Sequence, residues 1–307
     1  MSANQEPFEL NFYKWEKEFK DKPYLRQPIG EAWEEYTWGQ VGDMARRLAS
    51  GLKSLNLREG AHIGIYSKNC REWIISDLAI VMAGYVSVPF FPSLNGKELS
   101  YIMDYGDVDA LFIGKIETWD EIKNDLSDEM PIIRFPKYDG CSNVTKGYEW
   151  HEFINNHDPI QNPHTPQLSD LLTIIFTSGT TGNPTGVMLT YQAIDGIKVV
   201  LDDPNNPLGI KHTGNNDFIS YLPLNHIFER VVIEWCSFRY GGTISFVESI
   251  EKFGQNLKSV QPHVFAAAPR VWTKLQMGIL SKFLQIILDI LLKIPVFSSI
   301  LKKLIRK

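Results

Sequence analysis

A short apolar run followed by a loop rich in glycine and threonine decides the fold: residues 171–186 read LLTIIFTSGTTGNPTG. Residues 171–176 are apolar with several β-branched side chains, which predicts a buried strand. The loop, residues 177–186, contains three glycines, which let the backbone bend sharply and approach a ligand closely. A helix is predicted near residues 190–201. This order of strand, glycine loop and helix favours an anion-binding loop within an α/β protein.

Hydroxyl groups in the same loop add hydrogen-bond donors to its backbone N–H groups. They belong to Thr177, Ser178, Thr180 and Thr181. Such hydroxyls can bind phosphate oxygens, and one can face a magnesium ion. The glycine spacing and the absence of a Gly-Lys-Ser/Thr ending exclude a Walker A loop, and the pattern is not a Rossmann fingerprint. A solvent-exposed turn is the alternative, but the length, composition and context favour a polyphosphate-binding loop.

Strands and helices alternate outward from this loop along most of the chain. Predicted strands cover residues 62–66, 86–88, 110–113, 131–135, 171–176, 218–222, 243–247 and 263–267. Predicted helices cover residues 41–55, 71–83, 96–105, 190–201, 227–238 and 252–260. The first helix begins at a capping box, Thr37 to Gln40. The polar residues 137–169 are predicted to form a connector. The alternation predicts the α/β class, with mainly parallel sheets packed by helices.

The composition is that of a globular protein and excludes several other classes. Of the 307 residues, 44% are hydrophobic and 22% are charged, so a disordered chain and a fibrous repeat are excluded. Cys70, Cys141 and Cys236 are an odd number and widely spaced, which predicts reduced, inert thiols in a cytosolic setting. The first residues carry no basic and apolar signal pattern, so we predict no export and a cytoplasmic location.

The charge is distributed unevenly. Residues 278–307 hold six basic side chains against one acidic one, whereas residues 1–277 hold 25 basic against 35 acidic. An acidic body repels a phosphate polymer, which argues against nucleic acid as a partner. In the basic end, polar residues recur at steps of three and four within residues 278–294, which predicts a basic amphipathic helical tail. It forms either a core helix pair or an interfacial helix on anionic lipid, placing the protein peripherally at a membrane's cytoplasmic face.

Three segments together resemble one enzyme family. The glycine loop with its flanks, residues 174–190, closely resembles the phosphate-binding signature of the AMP-forming acyl-CoA synthetases, members of the adenylate-forming superfamily. Residues 221–230, YLPLNHIFER, and 268–274, APRVWTK, look like two segments of the long-chain branch of that family. The Ser67-Lys68-Asn69 turn also fits the pattern. The resemblance covers nearly the whole chain and implies the N-terminal portion of the adenylate-forming fold.

The resemblance implies a two-step reaction and assigns roles to residues. A long-chain fatty acid carboxylate attacks the α-phosphorus of ATP and expels pyrophosphate, and the thiol of coenzyme A then displaces AMP from the acyl-adenylate. The loop would hold ATP through Thr177, Ser178, Gly179, Thr180, Thr181, Gly182, Thr185 and Gly186, with Thr181 facing Mg²⁺. His226 would lie at the junction of carboxylate and phosphate as the catalytic residue. Without the resemblance, His226 is better interpreted as a structural hydrogen-bonding group.

Two departures from the family pattern keep other functions open. The family usually has Lys or Arg where this chain has Thr185, which removes a positive charge close to pyrophosphate. The family's Tyr-Gly-x-Thr-Glu motif, its ribose-binding Asp and its small C-terminal domain are not found, so we expect a partial N-terminal AMP-binding domain over residues 1–307, without the C-terminal domain. The alternatives are a catalytically inert module that binds a nucleotide or acyl group, and an adenylating ligase for a different carboxylic acid.

Overall fold

The computed structural model of the protein describes Pro7, residues 10–178 and 184–281, and Lys303. The strands are β1 (Pro23–Ile29), β2 (Ala32–Thr37), β3 (His62–Ser67), β4 (Val86–Phe90), β5 (Val108–Gly114), β6 (Ile132–Arg134), β7 (Tyr148–Glu149), β8 (Leu171–Ser178), β9 (Pro184–Thr190), β10 (Asp217–Ser220) and β11 (Thr243–Phe246).

The helices alternate with these strands. They are α1 (Leu10–Glu18), α2 (Trp38–Ser54), α3 (Arg71–Met82), α4 (Gly96–Tyr105), α5 (Trp119–Ile122), α6 (Trp150–Asn155), α7 (Tyr191–Asp195), α8 (Lys198–Leu201), α9 (Ile227–Glu229), α10 (Cys236–Tyr240), α11 (Phe253–Val260) and α12 (Pro269–Leu280). A π-helical segment, Arg230–Trp235, joins α9 to α10.

The strands form two sheets. One has seven strands in the order β7-β6-β5-β3-β4-β8-β9, and the other has four in the order β10-β11-β1-β2. All neighbouring pairs are parallel except β8–β9 and β1–β2, which are antiparallel. The predicted α/β class with mainly parallel sheets is confirmed.

Helix α3 lies in the core between the two sheets. All twelve of its residues are buried, and it contacts β3 and β4 of the seven-stranded sheet and β1 of the four-stranded sheet. Helix α2 packs beside it and begins at the predicted capping box, in which the Thr37 hydroxyl accepts from the Gln40 N–H at 3.2 Å. The carboxyl ends of the parallel strands are the usual place for a ligand site in such a sheet.

The structure corrects three predictions. The glycine loop is followed by a strand, β9, because a short loop can join two antiparallel strands directly, and the predicted helix is split into α7 and α8. The connector 137–169 contains β7 and α6. The predicted strand 263–267 makes only a single bridge, at Val264. The predicted helical tail, residues 278–307, stays a prediction, because residues 278–280 end α12 and residues 282–302 and 304–307 lie outside the described residues.

Candidate functional site

The glycine loop joins the two strands of an antiparallel hairpin. Thr177 on β8 pairs with Thr185 on β9, and Ser178 pairs with Pro184. The Thr177 and Thr185 side chains are exposed, and the Thr177 hydroxyl reaches the Thr185 carbonyl only at 3.5 Å. Both hydroxyls are therefore accessible at the hairpin end, where a phosphate chain could approach.

The central residues of the predicted phosphate loop lie outside the described residues. These are Gly179, Thr180, Thr181 and Gly182, together with the side chain of Ser178. Their assignment to ATP, and that of Thr181 to Mg²⁺, stay predictions. The structure does describe the base of the loop, which is the antiparallel hairpin formed by β8 and β9.

Gly186 has a packing role in this hairpin. A Cβ atom at this position would lie 3.0 Å from Ile174 Cγ2 and 3.1 Å from Phe176 Cε1, closer than ordinary contact distance. Phe176 also stacks on Phe90 of β4, with ring centroids 6.4 Å apart. The glycine at 186 thus lets β9 lie directly against a buried aromatic side chain, which explains it without any ligand. Its predicted ATP contact stays a prediction.

His226 lies at the start of α9, in the segment that follows β10. It is exposed, and its Nδ1 accepts a hydrogen bond from the Phe228 N–H at 3.2 Å. A ring nitrogen that accepts carries no proton, so the proton of the neutral imidazole lies on Nε2. This geometry gives His226 a helix-capping role and at the same time leaves Nε2–H as a donor for an anionic oxygen.

Arg230 links the His226 segment to the hairpin. This fully buried guanidinium donates through Nη1 to the Thr173 hydroxyl of β8 at 2.7 Å. The same side chain donates to Asp77 of α3 at 2.6 Å and to Glu234 at 3.1 Å. Because Arg230 follows His226 by one turn of helix, one side chain fixes the histidine segment relative to the strand that leads into the glycine loop.

Two carboxyl groups and two indole rings surround the Arg230 guanidinium. Burial, together with the negative charge of Asp77, holds the pKa of the Glu234 carboxyl well above its usual range. Arg230 forms ion pairs with both Asp77 and Glu234, and the shorter one is with Asp77. The faces of Trp73 and Trp235 lie 5.3 and 4.8 Å from the guanidinium carbon and add cation–π attraction.

Glu229 is a second buried ionisable residue of this segment, and the sequence alone assigns it no role. Its Oε1 accepts from the Tyr221 N–H at 2.9 Å, so it holds the backbone just after β10. Burial raises the pKa of the Glu229 carboxyl to about 8. Its position inside the YLPLNHIFER segment could have drawn attention to Glu229, but the neighbouring residues in the sequence do not show that its carboxyl is buried.

We expect Glu229 to make stability depend on pH. The folded protein keeps the Glu229 proton up to about pH 8, whereas the unfolded chain releases it near its ordinary pKa. The free energy of unfolding should therefore fall as pH rises from about 5 to about 8, by at most about 1.4 kcal/mol per pH unit. Urea unfolding of the wild type and of Glu229→Gln, which keeps the acceptor oxygen, measures this slope.

The exposed Glu31, in the turn between β1 and β2, provides the control. Glu31→Gln should leave the slope unchanged, while Glu229→Gln should flatten it. Equal slopes for the wild type and Glu229→Gln would contradict a proton held by Glu229 in the folded state.

The three cysteines are free thiols. Cys70 and Cys236 are buried, and burial raises the pKa of each thiol to about 12, as predicted for inert cysteines. Cys141 is partly exposed. Within the described ranges, no three His, Cys, Asp or Glu side chains converge in a way that could hold a metal ion.

The chain also matches a known protein family over most of its length. The profile of the AMP-binding enzymes covers residues 12–302. The chain belongs to the AMP-binding enzyme family. The predicted family resemblance is confirmed, and the hairpin of this AMP-binding enzyme family member occupies the middle of the matched range.

Its relatives in sequence are acyl-CoA synthetases. Long chain acyl-CoA synthetase 4 of Arabidopsis thaliana is 30% identical over 261 residues, which cover 80% of this chain and 38% of the relative. Fatty acyl-CoA synthetase A of Dictyostelium discoideum is 31% identical over 255 residues, which cover 78% and 37%. The chain thus spans about two fifths of the length of these relatives.

Solved structures share the fold. The anthranilate CoA ligase AuaEII, in complex with anthranoyl-AMP, superposes with a TM-score of 0.70 at 18% identity, over 83% of this chain and 48% of that one. A red-emitting luciferase from Phrixothrix hirtus gives a TM-score of 0.68 at 19% identity, over the same shares. At these identities the likeness shows the adenylate-forming fold alone.

The structure also bears on membrane insertion. Of the helices in the described ranges, none combines the length and hydropathy needed to cross a bilayer.

Proposed function

We propose that this protein activates a long-chain fatty acid with ATP and then transfers the acyl group to coenzyme A. The observation that supports this most directly is the Arg230 link, which fixes an exposed histidine relative to the base of a glycine-rich hairpin loop. The sequence relatives named as acyl-CoA synthetases support the class of reaction. ATP enters as its Mg²⁺ complex, and both are substrates.

The proposed first step brings two anions together. A carboxylate oxygen attacks the α-phosphorus, the P–O bond to the β-phosphate breaks, and pyrophosphate leaves with the bonding electrons. Backbone N–H groups and hydroxyls of Thr177–Gly182 would hold the β- and γ-phosphates, with the Thr181 hydroxyl towards Mg²⁺. His226 Nε2–H would donate to the carboxylate or to an α-phosphate oxygen and hold the two reactants in line.

The proposed second step uses the energy of the acyl-adenylate. The thiol of coenzyme A gives its proton to water and attacks the acyl carbon, the bond to the AMP oxygen breaks with its electron pair on that oxygen, and AMP leaves with the thioester as the other product. The same residues that hold the adenylate would keep its carbonyl oriented for this attack.

Acid-dependent exchange of labelled pyrophosphate into ATP tests the first step. We expect exchange with palmitate that depends on the added acid and on Mg²⁺, and less exchange with acetate or benzoate. Preference for benzoate would favour the ligase for a different carboxylic acid. Binding of ATP without exchange would favour an inert nucleotide-binding module, which the neutral Thr185 makes the second candidate.

The Thr185→Lys variant tests the missing positive charge. Thr185 is exposed at the start of β9 beside Thr177, so a lysine there can reach towards pyrophosphate without disturbing the hairpin. We expect its exchange rate to rise by roughly tenfold, because a cation stabilises the charge that develops on the leaving group. Met188→Lys adds the same charge at another exposed position of β9 and should not raise the rate. No gain for Thr185→Lys over Met188→Lys would contradict the proposed place of pyrophosphate.

A peripheral contact with anionic lipid is proposed for residues 278–307. The support is their sequence pattern, in which six basic residues and a wide apolar face occur in one amphipathic stretch. The protein should sediment with vesicles containing phosphatidylserine at low salt and be released at high salt, because salt screens this attraction. Vesicles of phosphatidylcholine alone provide the control. No sedimentation with the acidic vesicles would contradict a membrane role for this segment.

A further inference from the structure

The backbone that connects β10 to His226 is held by a side chain from the other sheet. Asn69 lies in the turn between β3 and α3, at the carboxyl end of the seven-stranded sheet. The segment 221–226 follows β10 at the carboxyl end of the four-stranded sheet. At this turn the side-chain amide of Asn69, from the seven-stranded sheet, contacts the end of β10 and the segment after it, from the four-stranded sheet.

The Asn69 amide binds the last residue of β10 and the segment that follows it. Its Nδ2 donates to the Ser220 hydroxyl at 2.8 Å and to the Leu222 carbonyl at 2.6 Å. Its Oδ1 accepts from the Leu224 N–H at 2.9 Å. These three hydrogen bonds, spread over residues 220–224, fix the position of the backbone that leads to His226.

Asn69 is itself held from a neighbouring strand. Lys115, just after β5, donates through Nζ to the Asn69 carbonyl at 2.8 Å. Lys115 is buried, and this burial lowers the pKa of its ammonium group. The ends of β3, β5 and β10 are thus connected by one chain of hydrogen bonds that runs from Lys115 through Asn69 to Leu224.

The segment is also held from the opposite side and is connected to the histidine. Glu229 accepts from the Tyr221 N–H at 2.9 Å, and the His226 N–H donates to the Pro223 carbonyl at 2.9 Å. Pro223 lies between the two residues that Asn69 binds, Leu222 and Leu224. Loss of the Asn69 amide would therefore free the turn on which the His226 backbone rests.

We infer that Asn69 is a positioning residue, which sets the place of His226 for acyl-adenylate formation by holding the backbone of residues 222–224. The inference rests on the proposed function. Because the Asn69 side chain is bound to Ser220, Leu222 and Leu224, we expect its loss to lower the rate of the step and to leave ATP binding unchanged. A displacement of about 1 Å at a reacting group can cost about 100-fold in rate.

The test compares three variants. Asn69→Ala removes all three side-chain hydrogen bonds, and Asn69→Asp keeps an acceptor for Leu224 but loses the amide donors. Asn216→Ala is the matched control, because this buried asparagine holds Lys211 and Gly241 in the same manner at the amino end of β10. Each variant is measured by pyrophosphate exchange with palmitate and by amide hydrogen exchange of residues 221–226.

For Asn69→Ala we expect a fall in the maximal exchange rate of about 100-fold, with the KM for ATP changed by less than about threefold. The Leu224 amide should lose protection. Asn216→Ala should keep both the rate and this protection. Relative to the wild type at each pH, Asn69→Asp should regain rate as pH falls, because the protonated carboxyl can again donate to Leu222 while accepting from Leu224.

The outcomes separate the inference from the proposed function. An active wild type with an unchanged rate in Asn69→Ala overturns the inference and leaves the function standing. An equal rate loss in Asn69→Ala and Asn216→Ala, with no pH-dependent recovery in Asn69→Asp, also overturns it, because it shows only general destabilisation. An inactive wild type overturns the proposed function. Hydrogen exchange of the Leu224 amide then tests by itself whether Asn69 holds the segment, and unchanged protection of this amide in Asn69→Ala overturns the inference as well.

Discussion

Replacing Arg230 with methionine is expected to lower the free energy of unfolding by about 3–5 kcal/mol. The substitution keeps much of the apolar stem but leaves Asp77 of α3, whose side chain is 2% exposed, as a buried charge without its partner. It also removes the 2.7 Å hydrogen bond to Thr173 on β8. Urea unfolding followed by tryptophan fluorescence measures the loss.

Two further variants make the Arg230 result specific. Arg26→Met removes an exposed ion pair to Glu35 and should cost less than about 1 kcal/mol. Adding Asp77→Asn to Arg230→Met should recover part of the lost stability, because it removes the buried charge that has lost its partner. A loss of unfolding free energy in Arg230→Met no greater than in Arg26→Met would contradict a stabilising role for the buried ion pair between Arg230 and Asp77.

Replacing His226 with alanine is expected to lower the rate of pyrophosphate exchange by about 10²–10³-fold. Alanine removes both the Nε2–H donor and the Nδ1 cap that accepts from the Phe228 N–H. His226→Asn separates these two functions, because asparagine is a good N-cap residue but does not reproduce the imidazole donor. We expect asparagine to lose nearly as much rate as alanine.

The exposed His151 on α6 supplies the control for this pair. His151→Ala should leave the exchange rate unchanged. Full activity in His226→Asn would show that the histidine acts only as a helix cap, the structural role that its sequence context alone favours.

Local patterns predicted the elements that are formed by local interactions. The Thr37–Gln40 capping box predicted the start of α2, and α4 begins and ends where the sequence pattern placed it. Residues 62–66 were predicted as a strand and lie in β3, because a short apolar run between two helices is typical of a buried strand in an α/β protein. The glycine loop was found because its composition is unusual over ten consecutive residues.

The errors came from interactions that are distant in sequence or short in extent. Helix α6 has only six residues, too few for a visible period, and it is anchored by the buried Trp150 and Phe153. Strand β1 pairs with β11, more than 200 residues away, which no local pattern can indicate. Within the candidate site, Arg230 and Asn69 have partners at sequence separations of 153 and 155, so their roles became visible only in the folded chain.

The most direct test of the central claim is acid-dependent exchange of labelled pyrophosphate into ATP by the wild-type protein. We expect exchange that requires palmitate and Mg²⁺, rises in Thr185→Lys and falls in His226→Ala. ATP bound by the wild-type protein with no palmitate-dependent exchange, in the wild type or in Thr185→Lys, would contradict fatty acid activation and leave a nucleotide-binding module.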